Sequence, residues 1–308
     1  MRNTGKPSWI KAQIPQGPNY THLKGLMRGL NLHTVCEEAR CPNIGECWGA
    51  GTLTFMILGD VCTRSCGFCH VKTGRGGELD WDEPQRVAEA VGKLAENNAH
   101  VKHIVITSVN RDDRNYESAC IFGQTIRKVR EYNPSVKIEV LIPDFKGDSV
   151  ALEQVLEARP DVLNHNIETV PRLYRLPQLT PSGKKRSVRP QANYEGSLRL
   201  LEESKAYGNE NMLTKSGIMV GLGEEEEELL ETLKDLKGVG CDIVTIGQYL
   251  QPTHDHLPVT KYYHPMEFES LKTYGENVIG IPHIEAGALV RSSYHAEKQV
   301  VKLGDSLS

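Results

Sequence analysis

Six short apolar runs rich in β-branched residues recur along the chain, at 53–58, 103–109, 137–143, 162–167, 216–222 and 242–250. Between and after them the apolar residues take a three-to-four-residue spacing, over 83–97, 117–132, 149–158, 193–207, 224–237 and 265–277. That is the period of a helix with one buried face. Strand and helix therefore alternate, the signature of repeated βα units on a parallel sheet. Right-handed crossovers curve such a sheet and leave its helices outside. Six units are too few to close an eight-stranded barrel, so the pattern predicts an α/β fold, a partial (β/α)6 TIM-like barrel with N- and C-terminal extensions. Functional groups should then gather at the C-terminal ends of the strands and in the loops that follow.

The expected division is an N-terminal extension over 1–50, the partial barrel over 51–280 and a C-terminal extension over 281–308. Residues 1–30, rich in Pro, Gly and Lys, read as a strap or short helices on the surface of the barrel. With 36 basic against 40 acidic residues, a formal charge of -4 offers no general attraction for nucleic acid or membrane surfaces. No apolar run approaches the ~20 residues that span a bilayer. The N-terminus, with Arg2, Lys6, Pro7 and Lys11, has neither the apolar core of a signal peptide nor the composition of a transit peptide. These features predict a cytoplasmic protein with no membrane or nucleic-acid partner.

The cysteines point to chemistry. Six of the eight lie between Cys36 and Cys69, as Cys36, Cys41 and Cys47 and then as Cys62, Cys66 and Cys69. In a reducing compartment such clustering points to metal ligands rather than disulfides. Cys120 and Cys241 stand apart and read as buried thiols. A closed thiolate site takes four ligands, so each triad leaves one corner open. The CxxxCxxC group follows the first strand, suits three irons of a [4Fe-4S] cluster, and carries Phe68 as a shield against water. A zinc site completed by His70 or another histidine is the alternative. Polar residues fall at strand ends: Thr107, Ser108, Asp144, Asn164, Asn166, Glu168, Lys215, Ser216, Gln248 and Gln251. They serve either a site or the caps and loops of the fold.

The loop after the first strand, the cysteine spacing and the aromatic before the last cysteine resemble the radical S-adenosylmethionine enzymes. The resemblance implies that Cys62, Cys66 and Cys69 are catalytic, holding a cluster whose fourth iron is chelated by S-adenosyl-L-methionine, which is cleaved to a 5'-deoxyadenosyl radical. The first triad, reading CEEARCPNIGEC just before GDVCTRSCGFC, narrows the likeness to the lipoyl synthase family. Further matching stretches are ITSVNRDD (106–113), NHNIETVPRLY (164–174), TKSGIMVGLGE (214–224), GQYLQPTHDHLPV (247–259) and RSSYHAE (291–297). Membership implies insertion of two sulfur atoms at C6 and C8 of a protein-bound octanoyl-lysine chain. It implies two [4Fe-4S] clusters, the second an auxiliary cluster held by Cys36, Cys41, Cys47 and a serine of RSSY, Ser292 or Ser293, and consumed as the sulfur source. Ser293, next to Tyr294, is favoured, and a hard alkoxide would be a weak corner on iron. By the same resemblance, Thr107 and Ser108 meet the methionyl group of the cosubstrate, Asn166 and Glu168 its ribose, and the backbone at Gly221 its adenine. The implied partners are octanoylated lipoyl carrier domains of 2-oxoacid dehydrogenase complexes or the glycine cleavage H protein, and a flavodoxin- or ferredoxin-type electron donor.

Other features read more plainly. The run from Glu224 to Glu228 suits a solvated helix start. Arg111, Asp112 and Asp113 form either a site or an ion-pair network, and His254 and His256 read as substrate-facing or structural. The chain departs from the family pattern at Gly67, at Arg114 to Ser118, and in an insertion over 176–187. The insertion's Pro, Gly and Ser suggest a solvated loop, while its Lys184, Lys185 and Arg186 could meet an acidic carrier. Two alternatives stand beside the main reading. One is another radical sulfur-insertion or methylthiolation enzyme, with the acidic charge arguing against an RNA substrate. The other is a zinc-stabilised binding protein.

Overall fold

A computed structural model describes residues 5–49, 53–97, 102–209, 211–297 and 299. Arg2, the first residues of the N-terminal extension and the end of the C-terminal one lie outside the described residues. Eight strands make one sheet: β1 (His33–Thr34), β2 (Thr54–Ile57), β3 (His103–Ser108), β4 (Lys137–Leu141), β5 (Val162–Asn164), β6 (Leu213–Val220), β7 (Ile243–Gln248) and β8 (His283–Gly287). Their spatial order is their chain order, with β1 and β8 at the two edges. Only β1 runs antiparallel to its neighbour; the rest are parallel, so the sheet curves but stays open. The fold is thus the partial barrel the pattern predicts, with six expected strands and two more at the edges.

The strands form because their residues are buried on both faces, as a parallel sheet under helices requires. β6 starts at Leu213, earlier than its apolar run suggests, because Thr214, Lys215 and Ser216 are fully buried. Lys215 can sit there because its Nζ lies 2.9 Å from Glu139 Oε1 on β4, both side chains inaccessible to solvent. The helices follow the predicted periods closely, Glu83–Asn97 without any change of bounds. Their starts are capped by side chains: Asp148 accepts from Ala151 N, Asn193 accepts from Gly196 N, and Glu225 with Glu228 forms a capping box. In the N-terminal strap, residues Pro18–Gly29 form one helix that buries Leu23 and Met27. Among the described residues no helix is long and apolar enough to cross a membrane.

Three sequence expectations need correction. The insertion over 176–187 is solvated as expected but is a β-hairpin rather than an irregular loop, Gln178–Leu179 against Lys185–Arg186, turned at Gly183 with φ 85°. Its Lys184 is already paired with Asp255 at 2.7 Å, which leaves only Lys185 and Arg186 of the basic patch unassigned. Glu224 is not on a solvated face: it is 8% exposed and its carboxylate accepts from the backbone N–H of Gly221 and Leu222. Cys241 is buried as expected, whereas Cys120 is only half-buried.

Candidate active site

A cavity of about 550 Å³ lies inside the curve of the sheet, toward the C-terminal ends of its strands, and all six clustered cysteines line it. The second triad is placed by the turn that ends β2. Leu58 and Gly59 both take positive φ there, 69° and 85°, and the buried carboxylate of Glu83 accepts from Leu58 N at 2.7 Å. The loop is then held by Arg64, whose guanidinium binds two carboxylates at once. Its Nε donates to Asp112 Oδ2 at 2.9 Å, and its Nη1 donates to Asp144 Oδ2 at 2.7 Å. Such forked, charge-assisted bonds fix orientation as well as distance. They hold the Asp144 carboxyl down to about 2 against the upward push of burial. Cys62 Sγ accepts from the backbone N–H of Arg64 and Asn110, at 3.4 and 3.3 Å.

Cys36 and Cys47 of the first triad sit on two short helices, Val35–Glu38 and Ile44–Gly49, with Cys41 in the turn between them. The C-terminal segment reaches across the barrel mouth to it. Asn43 Nδ2 donates to Leu289 O at 2.7 Å, Tyr294 Oη donates to Glu46 Oε1 at 3.0 Å, and Thr54 Oγ1 donates to Ser293 Oγ at 2.9 Å. Thr54 carries a backbone group that hydrogen-bonds Cys36, so Ser293 lies one residue from the first triad. Ser292 points the other way and shares its hydroxyl with the Asn166 amide, at 2.7 and 2.9 Å. The two serines therefore serve different halves of the cavity.

Burial pushes the Cys36 thiol up to about 11, Cys66 to about 11 and Cys69 to about 12, and raises Cys41 as well. Thiols this reluctant to ionise become ligands only when a cation replaces their protons. Among the described residues no three His, Cys, Asp or Glu side chains converge tightly enough to hold a single metal ion. His70, the residue offered to complete a zinc site, stacks on His256 with ring centroids 5.7 Å apart, and its Nδ1 lies 3.1 Å from Glu38 O.

The remaining predicted residues divide. Ser108, Asn166 and Glu168 line the cavity, and the Ser108 hydroxyl is buried without a hydrogen-bond partner. An orphaned buried hydroxyl facing a cavity is what a polar ligand group would satisfy. Thr107 lines it too, but its hydroxyl donates to Leu141 O at 3.0 Å. Glu168 holds a left-handed backbone, φ 67°, and burial raises its carboxyl. Gly221 lies outside the cavity lining; its N–H donates to Glu224 and its carbonyl accepts from Thr260 N. Gly217, Ile218 and Met219 of the same strand line the cavity instead. Asn164, Ser216, Gln248 and Gln251 bond within the fold, as does His256 through Cys69 O. Arg111 pairs with Asp113, and Asp112 with Arg64, which is the ion-pair reading of that stretch.

Sequence reasoning missed Arg64, Thr54, Glu83 and Arg189. Arg189 Nη1 donates to Asn166 O at 2.9 Å, and its buried charge faces Glu168 and Cys66 within the cavity wall. Its only sequence signal is a position next to proline, in Val188-Arg189-Pro190.

Residues 56–236 match the model of the radical SAM superfamily, and residues 2–41 that of the N-terminal domain of lipoyl synthase. The chain is 56% identical over 295 residues to the lipoyl synthase of Rubrobacter xylanophilus, covering 96% of this chain and 86% of that one. It is 54% identical to that of Koribacter versatilis, covering 96% and 91%. A mitochondrial lipoyl synthase of Nematostella vectensis is 50% identical over 96% and 95%. Among solved structures, the FeFe-hydrogenase maturase of Carboxydothermus hydrogenoformans superposes with a TM-score of 0.55 at 17% identity, over 80% of this chain and 56% of that one. Methylornithine synthase gives 0.52 at 17%, over 74% and 61%. These two share the fold.

Proposed function

The chain belongs to the lipoyl synthase family of radical S-adenosylmethionine enzymes, and from that membership we propose how its own residues divide the reaction. It inserts two sulfur atoms, at C6 and C8 of a protein-bound octanoyl-lysine chain. Cys62, Cys66 and Cys69 hold the [4Fe-4S] cluster that binds S-adenosyl-L-methionine; Cys36, Cys41, Cys47 and Ser293 hold a second. The observation that carries this reading is that both triads and the RSSY segment face one cavity. When bound, these groups supply a carbon radical strong enough to take hydrogen from an alkane, and sulfide for the carbon left behind.

The chain's residues do the rest. Ser108 offers the methionyl group an unengaged hydroxyl, and Arg189 offers its carboxylate a buried cation. Asn166 and Glu168 lie where ribose hydroxyls would find both a donor and an acceptor. The apolar wall contributed by Val35, Leu53, Met56, Val105 and Leu141 accepts an alkyl chain between the two triads and excludes water from a reactive radical. Partners are octanoylated lipoyl carrier domains, of 2-oxoacid dehydrogenase complexes or the glycine cleavage H protein, and a flavodoxin- or ferredoxin-type donor. A cytoplasmic setting keeps the clustered thiols reduced.

Anaerobic reconstitution should give about eight irons and eight sulfides per chain, two clusters of four. Incubation with S-adenosyl-L-methionine, a reductant and an octanoyl-lysine peptide should yield a product with two added sulfurs by mass spectrometry. Ser293→Ala should keep 5'-deoxyadenosine formation and lose the sulfur product, while Ser292→Ala should weaken cosubstrate binding. The reverse pattern would exchange the two serines, and a colourless, zinc-loaded protein would overturn the cluster assignment.

A further inference from the structure

The cysteine loop from Cys62 to Cys69 has little regular structure of its own. Val61–Cys62 pairs with Lys72–Thr73 over two residues, and one turn joins Cys69 N to Cys66 O. Its shape between Ser65 and Cys69 is set by two remote segments. Gly67 N donates to the carbonyls of Ser187 and Val188, at 3.0 and 3.1 Å, and Gly67 O accepts from Leu257 N at 3.1 Å. Gln191 bonds both the backbone and the hydroxyl of Ser65, at 3.3 and 3.1 Å. His256 Nε2 lies 2.9 Å from Cys69 O. The approach is close enough that a Cβ on Gly67 would stand 2.5 Å from Ser187 O and 2.9 Å from Leu257 Cγ.

Those two segments are themselves joined by the hairpin. Ser182 N donates to His254 O at 3.0 Å and Lys184 Nζ meets Asp255 at 2.7 Å, while Gln178 Nε2 ties the first hairpin strand to Leu222 O, just after β6, at 3.1 Å. The exposed ion pair contributes little. The backbone bonds that converge on Gly67 carry the attachment. We propose that the hairpin over 176–187, locked to the loop over 253–257, is a clasp that fixes the backbone of Cys62 to Cys69 from outside, so that the thiols are already in place when iron enters and release it slowly. Its residues position the ligands and touch no reacting atom.

The inference rests on the assignment of a cluster to Cys62, Cys66 and Cys69, and the two triads supply an internal control. Two variants, Gly67→Ala and replacement of 178–186 by two glycines, are placed in a chain whose Cys36, Cys41 and Cys47 are alanine, and in the reciprocal chain lacking Cys62, Cys66 and Cys69. After anaerobic reconstitution, iron transfer to a ferrous chelator and amide exchange over 62–69 are followed. Each backbone bond lost is worth about two- to tenfold in a local opening equilibrium. Iron should therefore leave the second triad at least about tenfold faster, and the first triad at an unchanged rate. Gln191→Ala, which only frees Ser65, should act in the same direction more weakly and serves if the shortened chain fails to fold. Equal acceleration in both backgrounds, or none in either, would overturn the clasp. A chain lacking Cys36, Cys41 and Cys47 that takes up no iron would overturn the assignment beneath it.

Discussion

Glu83 shows how one buried carboxyl ties helix, turn and site together. It starts the helix after the cysteine loop, is 3% exposed, and accepts from the N–H of Leu58, where the backbone enters its left-handed turn. Burial outweighs that hydrogen bond and pushes the carboxyl up from 4.5 to about 7. A carboxyl raised in this way stabilises the fold fully below its unfolded value of 4.5, and that contribution is lost as pH rises through about 7. The gap corresponds to roughly 3 kcal/mol between pH 4 and 9. Glu83→Gln, which mimics the protonated form, should lose less stability than the parent chain as pH rises from 4 to 9, so that the two denaturant midpoints draw apart across this range. Parallel curves for the two proteins would place the pH dependence elsewhere. Nothing in the sequence around Asp82-Glu83-Pro84 distinguishes this residue from an ordinary helix-start acid, since the partner it caps lies 25 positions away.

Among the elements, the strands were legible wherever apolar residues repeat without interruption, and obscure where a buried polar pair stands in for them. Lys215 and Glu139 face each other across β5, with Asn164 and His103 completing the acceptor's shell at 3.1 and 3.3 Å. Their attraction holds Glu139 down to about 2 despite full burial. Lys215→Met should cost about 3–5 kcal/mol, because it leaves a core carboxylate without its lysine and with only Asn164 and His103 beside it, and Glu139→Leu combined with Lys215→Met should recover most of it. Thermal unfolding of the single and double variants checks this, and additive losses would contradict it. The same blindness to distant partners explains what else the sequence left out. β1 and β8 are edge strands of two and five residues, too short or too mixed for periodicity to mark. The hairpin's strands have two residues each, so Pro, Ser and Gly dominated its reading. The six clustered cysteines needed no such context, because spacing alone brings three thiols into one loop. Gly221, by contrast, is glycine because its backbone is left-handed, φ 98°, and a Cβ would strike Gln248 Nε2 and stand 2.5 Å from Lys261 O, constraints invisible in one dimension.

Across the fold, the second triad is held by loops of the barrel, whereas the first packs against the chain's C-terminal segment. Asn43, Glu46 and Thr54 reach Leu289, Tyr294 and Ser293 across more than 200 positions of sequence. The barrel's own strands end at Gly287, and only Val290, Ala296 and Gln299 of the described residues beyond it are buried. The segment docks on the sheet without adding a strand to it, so its loss should leave the sheet, Arg64 and the second triad in place. A chain ending at Ala288 should fold and bind about four irons instead of about eight. It should retain 5'-deoxyadenosine formation from S-adenosyl-L-methionine, at a rate lowered by the loss of Ser292 from Asn166. No sulfur should reach the octanoyl chain. Iron analysis and product mass spectrometry on the same preparation separate this from general damage: a shortened chain that has lost both sets of iron would mean that the C-terminal segment supports the whole cavity rather than closing its first half.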